Sequence, residues 1–196
     1  MMNIERWVTL TPDRVNINGT EQMAECEGKE FLTQLYRTYV KDYPKFFKMD
    51  ILCRLGFIAS ELLLDGKDIS GDKCSIILFN RSGSLANDKA YRKTIEKENY
   101  FPSPAIFVYT LPNIVTGEIA IRNKSYAETS FYLLDRPDGK AIEQIVTSSI
   151  PPHAGEAVCG WVECSDEDKF KATMFLLGQE SSTPFNAENI NKIINI

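Results

Sequence analysis

The sequence predicts an α/β fold, and three stretches carry that prediction. Cys74 to Phe79 (CSIILF) is a short unbroken apolar run bounded by turn residues, the mark of a strand covered on both faces. The chain then changes to the polar, glycine-containing loop Asn80-Arg81-Ser82-Gly83-Ser84 and to a helix-forming stretch from Leu85 to Lys97, so strand, loop and helix follow one another as in an α/β layer. Ahead of them, Ile51 to Leu64 (ILCRLGFIASELLL) is apolar on almost every side, with Ile51, Leu55, Ile58 and Leu62 as its densest stripe, which predicts a buried helix.

The remaining elements follow in chain order. WVTLTPDRVNING alternates loosely and ends on Asn18-Gly19, two residues that tolerate positive φ, so a strand or hairpin is expected there. Phe31, Leu32, Leu35, Tyr36 and Tyr39 recur at three and four, predicting an amphipathic helix from Glu30 to Tyr39. Pro44 breaks the chain, and Asp50 is suited to cap the buried helix. The strand at Cys74 to Phe79 is expected to be central in its sheet. After Pro102 and Pro104, Pro112 is expected in the first turn of a helix from Asn113 toward Ile121. Thr129 to Leu134 reads as a second buried strand, Lys140 to Val146 as a short helix, and Ala157 to Glu163 and Phe170 to Leu177 as two strands beyond the break at Pro151-Pro152. The last residues read as a weak amphipathic helix. With no repeat, low-complexity segment or linker, residues 1–196 are expected to form one domain.

Composition removes several function classes. At 196 residues, 43% of them hydrophobic, the chain can build a real core, and its net charge of -5 provides no field that would gather nucleic acid. Nowhere do eighteen apolar residues run together, and the start lacks the apolar stretch of a signal peptide, so a cytoplasmic protein without membrane attachment is expected. Five irregularly spaced cysteines fit reduced thiols, and with no CxxC and a single histidine, His153, no metal site is expected. No cofactor motif occurs, since the Asn80 to Ser84 loop has too few glycines for a Walker or dinucleotide pattern.

The stretch Ser103 to Arg122 (SPAIFVYTLPNIVTGEIAIR) resembles the part of β-ketoacyl synthases that leads up to their nucleophilic cysteine, with Pro112, Asn113, Gly117 and Ile121 matching. Upstream, KFFKMDILCRLGFIASELLLDG is similar to that family's early buried helix and CSIILFNRSGSLANDKAY to its next strand, glycine loop and helix, in the same order. Downstream, Gly139 falls where the family has a glycine after its nucleophile, and Glu156 to Trp161 falls on its following strand. The resemblance covers about residues 45–165 and points to the short ketoacyl-synthase-like N-terminal domain proteins. It implies one thiolase-like half, a mixed five-stranded sheet with helices on both faces, which would account for apolar runs at Ile76 to Phe79 and Phe131 to Leu134.

A condensing enzyme of this type needs a cysteine thiolate at a helix N-terminus and histidines from a second half. Carried over without gaps from Pro112, the resemblance puts Arg136 in the nucleophile's place, within Asp135-Arg136-Pro137-Asp138-Gly139. A register slip does not help, because Phe131 to Glu156 holds no cysteine and only Thr147, Ser148 and Ser149 as aliphatic hydroxyls. No catalytic residue is therefore expected. The resemblance implies a non-catalytic accessory subunit or scaffold in fatty-acid-like, polyketide or aryl-polyene biosynthesis, paired with itself or with a ketosynthase chain. One alternative is half of a split condensing enzyme completed by a partner chain, with Cys164 as the acylated residue. Another is a module for acyl carrier protein, using Lys89, Arg92, Lys93 and Lys97.

The residues singled out for partner or ligand contact are Arg136, Asn113, Arg81 and Ser82. Arg136 has the fork of donors that suits a phosphate, or it pairs with Asp135 or Asp138. The loop Asn80 to Ser84 ends a strand and opens a helix, so its N–H groups can hold an anion or simply make a turn. Tyr100, Phe101, Phe107 and Tyr109 form an aromatic cluster that suits an acyl tunnel wall, a core or an interface. An interface is attractive because half a thiolase fold leaves apolar helix surface uncovered.

Overall fold

The computed structural model describes residues 2–195. Seven strands form one mixed sheet: β1 (Asn3–Leu10), β2 (Arg14–Ile17), β3 (Thr20–Met23), β4 (Cys74–Asn80), β5 (Thr129–Leu133), β6 (Glu156–Asp166) and β7 (Lys169–Gly178). Their order is β3-β2-β1-β7-β6-β4-β5. β4 runs parallel to β5 and β6, and the other neighbours are antiparallel. Seven α-helices accompany them among the described residues: α1 (Gly28–Leu35), α2 (Ile51–Leu64), α3 (Leu85–Thr94), α4 (Pro104–Val108), α5 (Ile114–Asn123), α6 (Gly139–Ser149) and α7 (Ala187–Ile194).

The period of two along a strand splits the apolar residues between two cores. Ile76 and Leu78 of β4 join Leu55, Phe57 and Val115 beneath α1, α2 and α5, while Ile77 and Phe79 join Ile142, Val146 and Ile190 beneath α6 and α7. β4 is buried along its whole length for this reason. Helix α2 begins at Asp50, whose side chain accepts the Cys53 N–H at 2.9 Å, and buries everything but Arg54 and Glu61. Each fully buried Leu, Ile or Phe of that helix contributes about 1.5–3 kcal/mol of transfer free energy. The crossing of α2 over α5 is tight, since a Cβ on Gly56 would run into the Val115 side chain.

Several expectations change. The sheet has seven strands and not five, because β2 and β3 extend it as a hairpin turned by Asn18 and Gly19, both at positive φ (52° and 92°). β3 (TEQM) is exposed throughout and lacks an apolar alternation, so pairing of its backbone alone marks it as a strand. β4 is not central but next to the edge, and β5 is the edge strand, with Thr129 and Leu133 exposed and not buried. Its apolar letters resemble those of a core strand, yet no neighbour covers its outer side.

Boundaries also move. The helix at Leu85 stops at Thr94, short of Lys97. Pro112 lies ahead of α5, with Asn113 as its N-cap. α6 is longer than the expected stretch at both ends, and α4 is an additional turn capped by the Ser103 hydroxyl, which accepts the Ile106 N–H at 3.3 Å. The C-terminal helix α7 is firmly docked through buried Ile190, Ile193 and Ile194.

Candidate functional site

The helices after β4 and β5 leave the sheet on opposite faces: Val115 and Ile119 of α5 enter the α2 core, whereas Ile142 and Val146 of α6 enter the α7 core. The carboxyl ends of two adjacent parallel strands thus part company, the arrangement at which open α/β sheets form a crevice. One of about 640 Å³ lies there, lined by Arg81 and Ser82 from the β4–α3 loop, Leu85 from the start of α3, Asp135, Arg136 and Pro137 from the β5–α6 loop, and Trp161, Glu163 and Ser165 from β6.

The β4–α3 loop is held from within. Asn80 is fully buried, and its amide donates to the Gly83 carbonyl and accepts the Gly83 N–H, each at 2.9 Å, closing a tight turn at positive φ (59°). Glu163 then takes the loop's outward donors: one carboxylate oxygen accepts the Arg81 N–H at 2.7 Å, and the other accepts the Ser82 hydroxyl. The loop does hold an anion, and the anion is the chain's own. Across the crevice, Asp138 caps α6 by accepting the Lys140 and Ala141 N–H groups at 2.9 and 3.1 Å. The Ala141 N–H chiefly, with that of Lys140 and the nearby Arg136 charge, holds the Asp138 carboxyl below its usual value despite some desolvation.

Arg81 and Arg136 are both exposed, and neither makes an ion pair among the described residues, although Arg136 has Asp135 beside it. The fold therefore brings three of the four sequence-selected residues, Arg81, Ser82 and Arg136, to one crevice. Asn113 is not among its lining; it is exposed at the start of α5, with its carbonyl accepting the Thr116 hydroxyl at 2.8 Å. Reading the sequence missed Glu163 and the wall residue Trp161. The signal was there, since Trp161, Glu163 and Ser165 alternate onto one face of β6 and Glu163 is the first charge to interrupt its apolar run.

No cysteine lines the crevice. Cys53, Cys74, Cys159 and Cys164 are buried, and only Cys26 is half-exposed, its thiol donating to the Gln34 side chain at 3.3 Å. Burial first, and then the Asp50, Asp166 and Glu163 carboxylates, push the Cys164 thiol up to about 12. Cys53 does sit in the first turn of α2, but burial and the capping Asp50 raise its thiol well above the ordinary value. His153 is exposed in the turn after α6 and does not line the crevice. Sequence reading also passed over Glu118 of α5, a buried carboxylate that pairs with Lys45 at 2.7 Å and thereby ties the approach to α2 onto α5.

Beside the crevice the molecule has an uncovered apolar margin. Helix α3 buries none of its residues, and Leu85, Ile95, Phe107 and Val108 of α3, α4 and their connection are between 41% and 50% exposed. Tyr100 and Phe101 stand 70% and 84% exposed, so they and Phe107 are surface, while Tyr109 of the same cluster is half-buried against the α2 core. On β5, Leu133 at its end is 59% exposed, and Tyr126 ahead of its start is 80% exposed.

The class this architecture defines is the thiolase-like fold of the ketosynthases. The chain is similar over 99% of its length to 90% of a chain in the complex of the ketosynthase ApeO with its chain length factor ApeC from Xenorhabdus doucetiae, with 13% identity and a TM-score of 0.64. It is similar over 93% of its length to 64% of a chain of the ishigamide ketosynthase/chain length factor, with 16% identity and a TM-score of 0.65. A third likeness covers 91% of this chain and 62% of a chain in the complex of the type II polyketide acyl-carrier protein AntF with the ketosynthase AntDE, with 12% identity and a TM-score of 0.62. The chain thus spans less than two thirds of two of these relatives and nine tenths of the other. No protein-family model matches it, and no curated protein matches its sequence.

Proposed function

We propose that this protein is a non-catalytic subunit that completes a condensing enzyme of its own fold, docking through the β5 edge and the apolar margin beside it. The carrying observation is that edge: five residues of strand with one side unpaired, ending on the exposed Leu133 and preceded by the exposed Tyr126. A partner strand would satisfy the free backbone groups, and a partner helix layer would cover the side chains. The likeness to ketosynthase and chain length factor complexes supports a ketosynthase partner, and the reading places the pair in a fatty-acid-like, polyketide or aryl-polyene pathway of the cytoplasm. Among the described residues no helix is long and apolar enough to cross a membrane. The basic residues Lys89, Arg92 and Lys93, exposed on α3, would offer a carrier protein a place to land.

The split-enzyme alternative loses its candidate thiol: Cys164 is buried and held protonated far above neutral pH, as are the other three buried cysteines, and the half-exposed Cys26 does not line the crevice. The test is light scattering of the protein mixed with purified ketosynthases. A one-to-one complex that Leu133→Lys disrupts supports the reading. A chain that remains alone with every ketosynthase offered, or an acyl adduct on any cysteine in the presence of the partner, overturns it.

A further inference from the structure

The crevice at the carboxyl ends of β4 and β5 has a composition that the docking edge does not explain. Its two exposed guanidinium groups come from different loops, Arg81 from the turn locked by Asn80 and Glu163, and Arg136 from the segment fixed by Pro137 and the α6 cap. Both loops are braced by buried or charge-assisted hydrogen bonds, so the arginine backbones are pre-positioned although their side chains are free. Leu85, Pro137 and the largely buried Trp161 supply an apolar wall between them. Glu163 is turned to the loop, each of its oxygens accepting a hydrogen bond from it, and it makes no ion pair with either arginine among the described residues. Asp135 is the one carboxylate of the lining with no such engagement among the described residues.

We infer that this crevice binds an amphiphilic oxyanion, a carboxylate or phosphate head on a short apolar body, with Arg81 and Arg136 holding the head and Leu85, Pro137 and Trp161 receiving the body. Planar guanidinium forks match both heads bidentately, and an open crevice of about 640 Å³ has room for a body of roughly six to ten carbons. Asp135 opposes the head and sets its affinity, so neutralising it strengthens binding. This inference does not rest on the accessory-subunit reading, since it concerns the chain without a partner.

The experiment follows Trp161 fluorescence in the full chain carrying Trp7→Phe, which leaves Trp161 as the sole indole, with calorimetry on the unaltered chain in parallel. The titrants are hexanoate, hexyl phosphate and hexanol. Saturable binding of hexanoate, hexyl phosphate or both is expected, with hexanol about tenfold weaker or worse. Saturation by only one anion identifies the head as carboxylate or phosphate. Arg81→Ala and Arg136→Ala are each expected to weaken binding about tenfold, Arg136→Lys less, and Asp135→Asn to tighten it about threefold. No saturation with either anion, equal affinity for hexanol, or arginine variants that bind as the unaltered chain does would overturn the inference. Since no partner is present, failure here leaves the docking reading standing, and failure of docking leaves this one.

Discussion

Helices α2 and α3 stand at opposite extremes within one fold. α2 buries all of its residues but Arg54 and Glu61, while α3 buries none. The first is held by the core and has no choice of position. The second is held by local bonds, chiefly the Asn87 side-chain N–H to the Ile106 carbonyl at 2.7 Å and the packing of Tyr91 on Phe107, and has crevices of about 380 and 640 Å³ along its sides. The difference teaches where the molecule is complete and where it is waiting for something. Stability resides around α2, and the surface proposed for docking lies around α3 and β5.

The widest expected contrast is in thiol accessibility. Cys53 of α2 should react with an alkylating agent only through global unfolding, whereas a thiol introduced by Leu85→Cys should react directly, faster by at least on the order of a thousandfold. Peptide mass spectrometry over a time course measures both in one sample. Comparable rates would mean that α2 opens locally, and the contrast would collapse.

Next in size is the energetic contrast. Phe57→Ala should cost about 3–5 kcal/mol in urea unfolding, because Phe57 is fully buried against Tyr43 and Phe46. Leu85→Ala should change the stability of the isolated chain by no more than about 0.5 kcal/mol, yet weaken association with a ketosynthase partner by about tenfold. A Leu85 variant that unfolds as readily as the Phe57 one would show that α3 belongs to the core after all.

The smallest effect distinguishes two half-buried caps whose carboxyls are shifted in opposite directions. Burial raises the Asp50 carboxyl despite the Cys53 N–H bonds, so its contribution to stability is complete below pH about 4 and declines as pH rises through its raised value. Asp138 is lowered, so its contribution is complete above pH about 4 and declines as pH falls through its lowered value. Asp50→Asn keeps the cap and should flatten the decline toward neutral pH, leaving the protein as stable or slightly more so there, while Asp50→Ala should cost about 1 kcal/mol. Asp138→Asn should flatten only the acid side. Urea titrations from pH 3 to 7 read all three, and an Asp50→Asn variant losing stability at neutral pH would contradict the sign.

What the sequence disclosed follows the same division. Where burial decides structure, the letters are decisive: Asp50 and the apolar run to Leu64 define α2 to the residue, and Cys74 to Phe79 lacks only Asn80 from β4. At the margin the same letters mislead, because Phe131, Tyr132 and Leu133 are as apolar as a core strand, and the absence of a neighbour beyond β5 leaves the first two half-buried and Leu133 exposed. The short α4 depends on one serine cap and two tertiary contacts, too little signal for periodicity to show. Arg81, Ser82 and Arg136 were legible because strand ends and helix starts are marked in the chain, whereas Glu163 joins them across about eighty residues, a partnership visible only once β6 lies beside β4.

The pairing of β1 with β7 sets a clock for the chain's own synthesis. Trp7 lies opposite Phe175, so β1 leaves the ribosome nearly the whole chain ahead of the strand it needs. At about 5–20 residues per second that interval is roughly ten to thirty seconds, far longer than a hairpin takes to form. During it β1 can pair only with β2, and Ile4, Val8 and Leu10 stay open to other chains. The sheet closes only when its middle is made last.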